Sequence, residues 1–308
     1  LDQEEAQAVG GAAQHAVQGV RLEGPGQLPV AEVEVAGLDP DPDAVLGRGR
    51  EEAELPGGGR ELAGDFGERA EAPPVVVLTG AGISTESGIP DFRGPQGVWT
   101  KNPEAEKMST IQHYMSSADV RKRSWQTKLA SADRVVEPNA GHFALVELER
   151  LGKLDTLITQ NVDGLHHRAG SAPERVVEIH GTMREVGCLD CGERAPMERA
   201  LERVRAGEED PRCRSCGGIL KSATISFGQG LVQEDLMRSQ AAAERCDFMF
   251  AIGTKLSVYP IANVVPIAKQ AGARVVILNA EPTEMDFLAD GVIRAPIGEA
   301  LPRICAAD

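Results

Sequence analysis

Four apolar runs along the chain, rich in β-branched side chains, each end in Gly, Asn or Thr. They are PPVVVLTGAGIS (73–84), LDTLITQNVDG (154–164), CDFMFAIGT (246–254) and ARVVILN (273–279). Helical patterns such as HFALVELERL (142–151) lie between them. Such runs are typical of strands that are buried on both faces. The pattern predicts an α/β fold with a parallel sheet whose polar strand ends share one rim, where such sheets bind ligands.

Two insertions interrupt this alternation. Residues 95–137 are polar and helix-prone without clear strands, and residues 182–222 contain two Cys-x-x-Cys pairs. We predict that these two insertions together build a smaller second domain. The larger part of the same unit (73–308) then consists of about residues 73–94, 138–181 and 223–308.

The first quarter of the chain differs in composition from the rest. Residues 1–72 hold 16 Asp and Glu residues against 5 Arg and no Lys, so most of the net charge of -15 belongs to them. They also contain the structure breakers LDPDPD (38–43) and LPGGGR (55–60). We therefore predict a disordered acidic extension that cannot bury enough apolar surface to fold.

The composition of residues 73–308 narrows the class of protein. Their charge is nearly balanced and shows no basic stripe, which argues against direct nucleic-acid binding. No apolar run approaches the roughly 18 residues of a membrane-spanning helix, and no secretory signal pattern opens the chain. We therefore expect a cytoplasmic protein without membrane contact.

The cysteine spacing is the most specific physical signal. Cys188-x2-Cys191 is followed after 21 residues by Cys213-x2-Cys216, and glycines that suit tight knuckles follow both pairs. Four thiolates at this spacing form a closed tetrahedral zinc site with no open position for a substrate, so we predict a structural zinc. A redox pair or four buried thiols remain the alternatives. Cys246 and Cys305 fit ordinary buried cysteines.

The turn Gly80-Ala81-Gly82-Ile83 follows the first predicted strand. Glycines here let the backbone approach a pyrophosphate at a helix N-terminus. Thr85 stands where the third glycine of the full G-x-G-x-x-G pattern would be, so a tight turn without a ligand remains equally open.

Two further polar stretches hold candidate residues. Gln160, Asn161 and Asp163 follow the second predicted strand and can bond ribose hydroxyls or a carboxamide, although Asn161 or Asp163 could instead cap a helix. His180 precedes a glycine after the run RVVEI. Its ordinary pKa suits proton transfer, although a single histidine is more often structural.

Taken in chain order, these motifs resemble the sirtuin family. The series is GAGIS (80–84), GIPDFRG (88–94), QNVD (160–163), His180-Gly181, the two Cys-x-x-Cys pairs and Gly253-Thr254. The resemblance covers about residues 73–305. It implies a Rossmann-like parallel sheet with helices on both faces plus a smaller zinc-ribbon/helical domain. It also implies NAD-dependent removal of acetyl or other acyl groups from protein lysines, with release of nicotinamide and O-acyl-ADP-ribose.

The resemblance assigns roles to individual residues. The implied catalytic residues are His180 as the base, Asn161, and Phe92 as a shield against water. Ile225, Phe227 and Val258 would bind the substrate peptide, which two segments would sandwich as an added strand. The implied NAD contacts are Gly80, Ala81, Gly82, Ile83, Asp91, Phe92, Arg93, Trp99, Gln160, Asn161, Val162, Asp163, Gly253, Thr254, Lys255, Asn279, Ala280, Glu281 and Ile297.

Three departures from the family pattern bear on detail. Lys255 replaces the usual Ser after Gly-Thr and would contact the NAD phosphates or face solvent, of which we favour solvent. Gln229 replaces the usual Glu after Phe-Gly near the peptide groove. Ser117 stands three residues after Tyr114, so the Tyr-x-x-Arg pair of sirtuins that prefer acidic acyl groups does not occur here. That disfavours desuccinylation.

Two alternative functions remain open. A mono-ADP-ribosyltransferase would use the same NAD pocket and pass the sugar to a protein side chain. A non-enzymatic zinc-ribbon binding module would need aromatic or basic surface around the ribbon, and residues 182–222 contain no aromatic residue.

Overall fold

The computed structural model describes residues 74–92, 94, 97–101 and 109–306. The predicted acidic extension, Arg93 and the side chain of Trp99 lie outside the described residues. The other predicted site residues lie within the described residues.

Strands form two sheets. The order in the six-stranded sheet is β3-β2-β1-β7-β8-β9, and in the three-stranded sheet β5-β4-β6. The strands are β1 (Val75–Thr79), β2 (Leu154–Thr159), β3 (Val176–Glu178), β4 (Gly181–Cys188), β5 (Arg194–Pro196), β6 (Leu220–Thr224), β7 (Phe248–Ile252), β8 (Arg274–Leu278) and β9 (Gly291–Ile293).

The six-stranded sheet is parallel throughout, as the apolar runs predicted. All four predicted strands occur in it as neighbours, with β1 at the centre. Side chains of β1 alternate between two cores because successive residues point to opposite faces of a strand. Val76 and Leu78 belong to one core, and Val75 and Val77 belong to the other.

Helices cover both faces of this sheet. Helices α4 and α9 pack on the face of Val75 and Val77, and α7 and α8 pack on the opposite face. The helices of the described residues include α1 (Val98–Lys101), α2 (Ile111–Ser116), α3 (Ala118–Ala132), α4 (Ala140–Arg150), α5 (Leu165–Ala169), α6 (Met197–Arg205), α7 (Gln233–Arg245), α8 (Val264–Gln270) and α9 (Ile297–Cys305).

A separate core forms around the second sheet. Residues 181–224, which we call the zinc module, contain β4, β5, α6 and β6. The indole of Trp125 in α3 is fully buried among Val186, Leu201 and Val204 of the module. The two insertions thus supply one another's apolar contacts, and the division of residues 73–308 into a large and a small part stays a prediction.

The chain order of the strands locates a crevice. From β1 the chain continues to β2 and β3 on one side, while β7, β8 and β9 lie on the other. Ligands of such Rossmann-like sheets bind where the strand order reverses, here beyond the carboxyl ends of β1 and β7. We call this place the switch-point crevice. Within the described residues, no helix is long and apolar enough to cross a membrane.

Candidate active site at the switch-point crevice

Two glycine turns cross at the switch-point crevice. Gly82 N donates to Gly253 O at 2.8 Å, and Gly80 N donates to Ile252 O at 3.0 Å. A Cβ on Gly82 would lie 2.6 Å from Gly253 Cα, and one on Gly253 would lie 2.5 Å from Ile83 N. Only residues without a side chain allow this approach, and Gly253 also has a positive φ of 62°.

The segment after β1 is a 3-10 helix, Ala81–Ser87, not the start of an α-helix. Gly82 N donates to Gly253 O, so the residue that follows β7 stabilises this turn. Ala81 and Gly82 are half-buried, whereas the side chain of Ile83 packs into the core. An anion bound at this turn would contact the backbone at Gly80 and Ala81.

A hydroxyl and a carboxylate join the first two strand ends. Asn161 Nδ2 donates to Gly80 O at 3.1 Å and to Ser84 Oγ at 3.2 Å. Ser84 Oγ donates in turn to Asp163 Oδ2 at 2.8 Å, and Asp163 Oδ1 accepts from Leu165 N at 2.9 Å. One oxygen of Asp163 thus accepts from the first residue of α5, whose N-cap is Gly164, while the other oxygen accepts from Ser84.

Gln160 links the ends of β1, β2 and β7. Its Nε2 donates to Thr254 Oγ1 at 2.9 Å, and its backbone N donates to Thr79 O at 3.0 Å. Val162 accepts from Met183 N of the zinc module at 3.0 Å. The QNVD stretch therefore lies at the crevice and also contacts the zinc module.

His180 lies between β3 of the large sheet and β4 of the zinc module. The QNVD stretch fixes the orientation of its ring. His180 Nδ1 lies 3.0 Å from Gln160 O. A carbonyl can only accept, so Nδ1 carries the proton and Nε2 of the neutral ring has the free lone pair. Burial lowers the pKa of His180, and the Gln160 carbonyl partly opposes this. The ring is thus neutral and able to accept a proton at neutral pH.

The loop of GIPDFRG lies beside the 3-10 helix. Asp91 Oδ1 accepts from Gly94 N at 3.1 Å, so the Asp91 carboxylate stabilises a turn of its own loop. Ile89 N donates to Ser84 O at 3.2 Å, which places Ile89 next to the Ser84 network. Phe92 is 45% exposed.

The predicted peptide segments lie outside the named strands, and Phe227 forms an isolated parallel bridge with Thr110. Ile225 N donates to His180 O at 2.7 Å, and Phe227 N donates to Ser109 O at 3.1 Å. Gln229 Oε1 accepts from Ser226 N at 3.2 Å, so the glutamine closes a local turn. Val258 O accepts from Ala262 N at the start of another turn. These contacts join His180 to the helical insertion through one continuous loop.

The far edge of the crevice follows β8. Asn279 Nδ2 donates to Glu281 O at 2.7 Å, and Ala280 is exposed beside it. Lys255 Nζ contacts Glu281 Oε2. The sequence left open whether Lys255 contacts the NAD phosphates or faces solvent. In the structure, Lys255 forms an ion pair with Glu281. Ile297 packs its side chain into the core at the start of α9.

The four cysteines of the two pairs converge. Their Sγ atoms all lie within 4.8 Å of one another, with Cys188–Cys216 at 3.5 Å and Cys191–Cys213 at 3.7 Å. Tetrahedral coordination at about 2.3 Å places neighbouring sulfurs about 3.8 Å apart. The donor set and spacing therefore fit zinc.

Sequence reasoning missed some residues at the crevice. Ser84 bridges Asn161 and Asp163, and its place in the motif GAGIS was the available signal. His142 and His166 form a buried pair below the strand ends, with ring centroids 4.9 Å apart. His142 Nε2 and His166 Nδ1 have no hydrogen-bond partner among the described residues. Burial lowers the pKa of His142 to about 4, so this ring stays neutral.

Comparison with known proteins places the chain in a family. The Sir2 family model matches residues 80–260. NAD-dependent protein deacetylase 2 of Streptomyces coelicolor is 50% identical over 232 residues, covering 75% of this chain and 96% of the relative. NAD-dependent protein deacetylase 1 of Bradyrhizobium diazoefficiens is 43% identical over 247 residues, covering 79% and 94%.

Solved structures agree with this assignment. A structure described under "Structural Basis for the Mechanism and Regulation of Sir2 Enzymes" is 42% identical, with a TM-score of 0.68, and covers 76% of this chain and 91% of that one. Residues 80–260, which the Sir2 family model matches, include both glycine turns, the QNVD stretch, His180 and the four cysteines. The chain belongs to the Sir2 family.

Proposed function

We propose that this chain removes acetyl groups from protein lysines and uses NAD as the co-substrate. The observation that carries the proposal is the convergence of the crossed glycine turns, the Ser84 network and His180 around one crevice. The similar relatives are named NAD-dependent protein deacetylases, which supports the same activity here. Acetylated lysines of proteins would therefore be its substrates.

NAD supplies an electrophilic ribose carbon and nicotinamide as the leaving group. The chain contributes the binding groups. We assign the pyrophosphate to the turn at Gly80 and the nicotinamide carboxamide to Asn161 and Asp163, where amide and carboxylate groups match its donors and acceptors. Ser84 holds these two side chains in one geometry because it accepts from Asn161 and donates to Asp163.

His180 would act as the general base. Because Nδ1 is bound to Gln160 O, the lone pair of Nε2 can take a proton from a ribose hydroxyl. Gln160 is itself anchored on Thr254, so the ring orientation depends on the strand ends that form the crevice. Phe92 would cover the reacting carbon and exclude water, which fits its exposed ring.

The buried position of Tyr114 supports a preference for neutral acyl groups. Its hydroxyl donates to Leu220 O at 2.8 Å, and burial raises the pKa of this phenol. The hydroxyl is thus engaged within the protein instead of facing an acyl chain. We also expect a cytoplasmic location, because thiolate ligands of a metal persist best in a reducing compartment.

Mass spectrometry tests the proposal directly. An acetyl-lysine peptide is incubated with the chain, with and without NAD. We expect free lysine, nicotinamide and acetyl-ADP-ribose in equal amounts, and only with NAD. Labelled sugar that remains on protein would instead show an ADP-ribosyltransferase, and an unchanged peptide with unchanged NAD would contradict both enzymatic functions.

A further inference from the structure

A buried lysine lies in β6, the last strand of the zinc module. Lys221 is 4% exposed, and no ion pair of the described residues includes it. Its ammonium instead donates to Ser222 O at 3.2 Å, to Thr224 O, and to Thr224 Oγ1 at 3.4 Å. An ammonium has three N–H donors, so these three acceptors match it in number. They offset part of the cost of burying the charge.

The acceptors of Lys221 lie where the ladder between β4 and β6 is interrupted. Gly181 pairs with Thr224, but the next pair is Val186 with Ser222, so the register shifts between these two places. Buried carbonyls at such an irregularity need donors from outside the ladder. The Lys221 ammonium supplies donors to Ser222 O and Thr224 O. It therefore fixes the backbone at the end of β6.

The same end of β6 contacts the backbone at His180. Ile225 N donates to His180 O at 2.7 Å. A Cβ on Gly181, the residue after His180, would lie 2.1 Å from Ala223 O, so the two backbones approach closely. The position of residues 223–225 therefore determines the backbone from which the His180 ring reaches Gln160 O.

We propose that Lys221 is a positioning residue for deacetylation, because its ammonium holds the end of β6 in the place that His180 and the loop 225–229 require. The inference rests on the proposed function, which assigns the base to His180 and part of the peptide site to Ile225 and Phe227. Lys221 itself touches neither NAD nor the acetyl group. Its loss should therefore weaken the use of the peptide and leave ADP-ribose binding intact.

The groups around Lys221 make its charge sensitive to pH. Burial lowers the pKa of Lys221 to about 8, and the Lys128 ammonium of α3 contributes by repulsion. Burial also lowers the pKa of Lys128 to about 8. Gly187 of β4 pairs with Lys221 and brings no charge, and burial raises the pKa of Tyr114 of α2, which donates to Leu220 O and stays neutral. Lys221 is therefore mostly charged at pH 7 and loses one of three donors above about pH 8.

Three variants test the role through kcat and KM for an acetyl-lysine peptide. Lys221→Met leaves buried carbonyls without donors, so kcat/KM should fall about 10- to 100-fold, while zinc content and calorimetric binding of ADP-ribose stay native. Lys221→Arg keeps a charge and several donors and should restore kcat/KM to near the native value. Lys128→Met is the matched control, because Lys128 also has a lowered pKa but donates to Ser124 of its own helix. Its kcat/KM at pH 7 should be near native.

The pH profile gives a readout that a merely structural lysine would not move. The charged form of Lys221 exists below its pKa, so the native kcat/KM for the peptide should fall several-fold above about pH 8 with the loss of one proton. Lys221→Arg should lack this alkaline limb, because a guanidinium stays charged. Lys128→Met should move the limb to higher pH, because a repelling charge is gone. A limb that persists in Lys221→Arg, or disappears in Lys128→Met, would overturn the inference even if Lys221→Met does not fold.

Calorimetric titration of the acetyl-lysine peptide in the presence of ADP-ribose separates this inference from the proposed function. Weaker peptide binding by Lys221→Met, but no deacetylation by any chain, would leave the role of Lys221 at the peptide loop intact and overturn the proposed function alone. Native kcat/KM in Lys221→Met, with normal NAD-dependent deacetylation, would overturn the inference alone. Failure of the native chain to bind either ligand would overturn both.

Discussion

The rim of the six-stranded sheet and the zinc module differ in what holds them together. The rim stands on two apolar cores that enclose β1 and β7, and its polar groups bond one another across strand ends. The zinc module has one small core, into which Trp125 of α3 packs. Units of this size rarely bury enough apolar surface, so a metal supplies the remaining stability. The rim is therefore a consequence of the sheet, whereas the module depends on its thiolates.

The sharpest test of this difference removes a zinc ligand. Structural zinc contributes about 10–16 kcal/mol of apparent binding energy in small domains. Cys216→Ser should therefore abolish stoichiometric zinc binding, unfold the zinc module and stop deacetylation. Limited proteolysis should cut within residues 181–224, while the six-stranded sheet that contains β1 and β7 should resist cleavage. Cys246→Ala is the control, because Cys246 packs against β7 and should lose only about 1–2 kcal/mol. Retention of one zinc with an unchanged melting temperature in Cys216→Ser would contradict the account.

A change at the rim should affect chemistry without affecting folding. His180→Ala should lower kcat/KM by about 10²- to 10⁴-fold, the range expected for loss of a general base. Calorimetry should show that ADP-ribose still binds, and the melting temperature should stay within a few degrees. His167→Ala is the matched control, since His167 pairs with Glu178 at 3.7 Å and takes no part in the crevice network. Near-native turnover by His180→Ala would remove it from the mechanism.

Removal of the Ser84 hydroxyl, which lies between Asn161 and Asp163, should have a smaller effect on kcat/KM. Ser84→Ala removes the hydroxyl that donates to Asp163 Oδ2 and one of the two acceptors of Asn161 Nδ2, which keeps Gly80 O; we expect a cost of about 1–3 kcal/mol. We expect a loss of about tenfold in kcat/KM for NAD and weaker inhibition by nicotinamide, because the carboxamide site loosens. Ser131→Ala on the exposed face of α3 should change neither value. Equal nicotinamide inhibition in Ser84→Ala and the native chain would break the assignment.

The pH dependence is the mildest test. Burial lowers the pKa of His180 below its ordinary value of about 6.5, so the neutral base persists to lower pH. On the acid side, the value of kcat/KM should therefore fall only below about pH 6.5, with one proton, while ADP-ribose binding shows no such limb. An acid limb centred above pH 7 would mean that His180 is stabilised as a cation, contrary to its surroundings.

The sequence predicted which residues lie at the rim better than it predicted the contacts among their side chains. The apolar runs of β1, β2, β7 and β8 predicted a parallel sheet, because burial on both faces is visible in a single chain. The QNVD stretch and His180 could be placed at the ends of strands for the same reason. Contacts between side chains from different loops depend on loop paths that no periodicity encodes.

Specific residues illustrate that limit. Lys255 and Glu281 are 26 positions apart and meet only because β7 and β8 are neighbours. Trp125 is the aromatic core of the zinc module, yet the cysteine insertion itself contains no aromatic residue. The segment after β1 is a 3-10 helix, where the local pattern favoured the start of an α-helix.

The central claim is that the crossed glycine turns, the Ser84 network and His180 enclose one dinucleotide. A crystal structure with NAD and an acetyl-lysine peptide tests it most directly. The account predicts the pyrophosphate beside Gly80, the carboxamide on Asn161 and Asp163, and His180 Nε2 within about 3.2 Å of a ribose hydroxyl. A dinucleotide bound away from the ends of β1 and β7, or a ribose out of reach of His180, would contradict it.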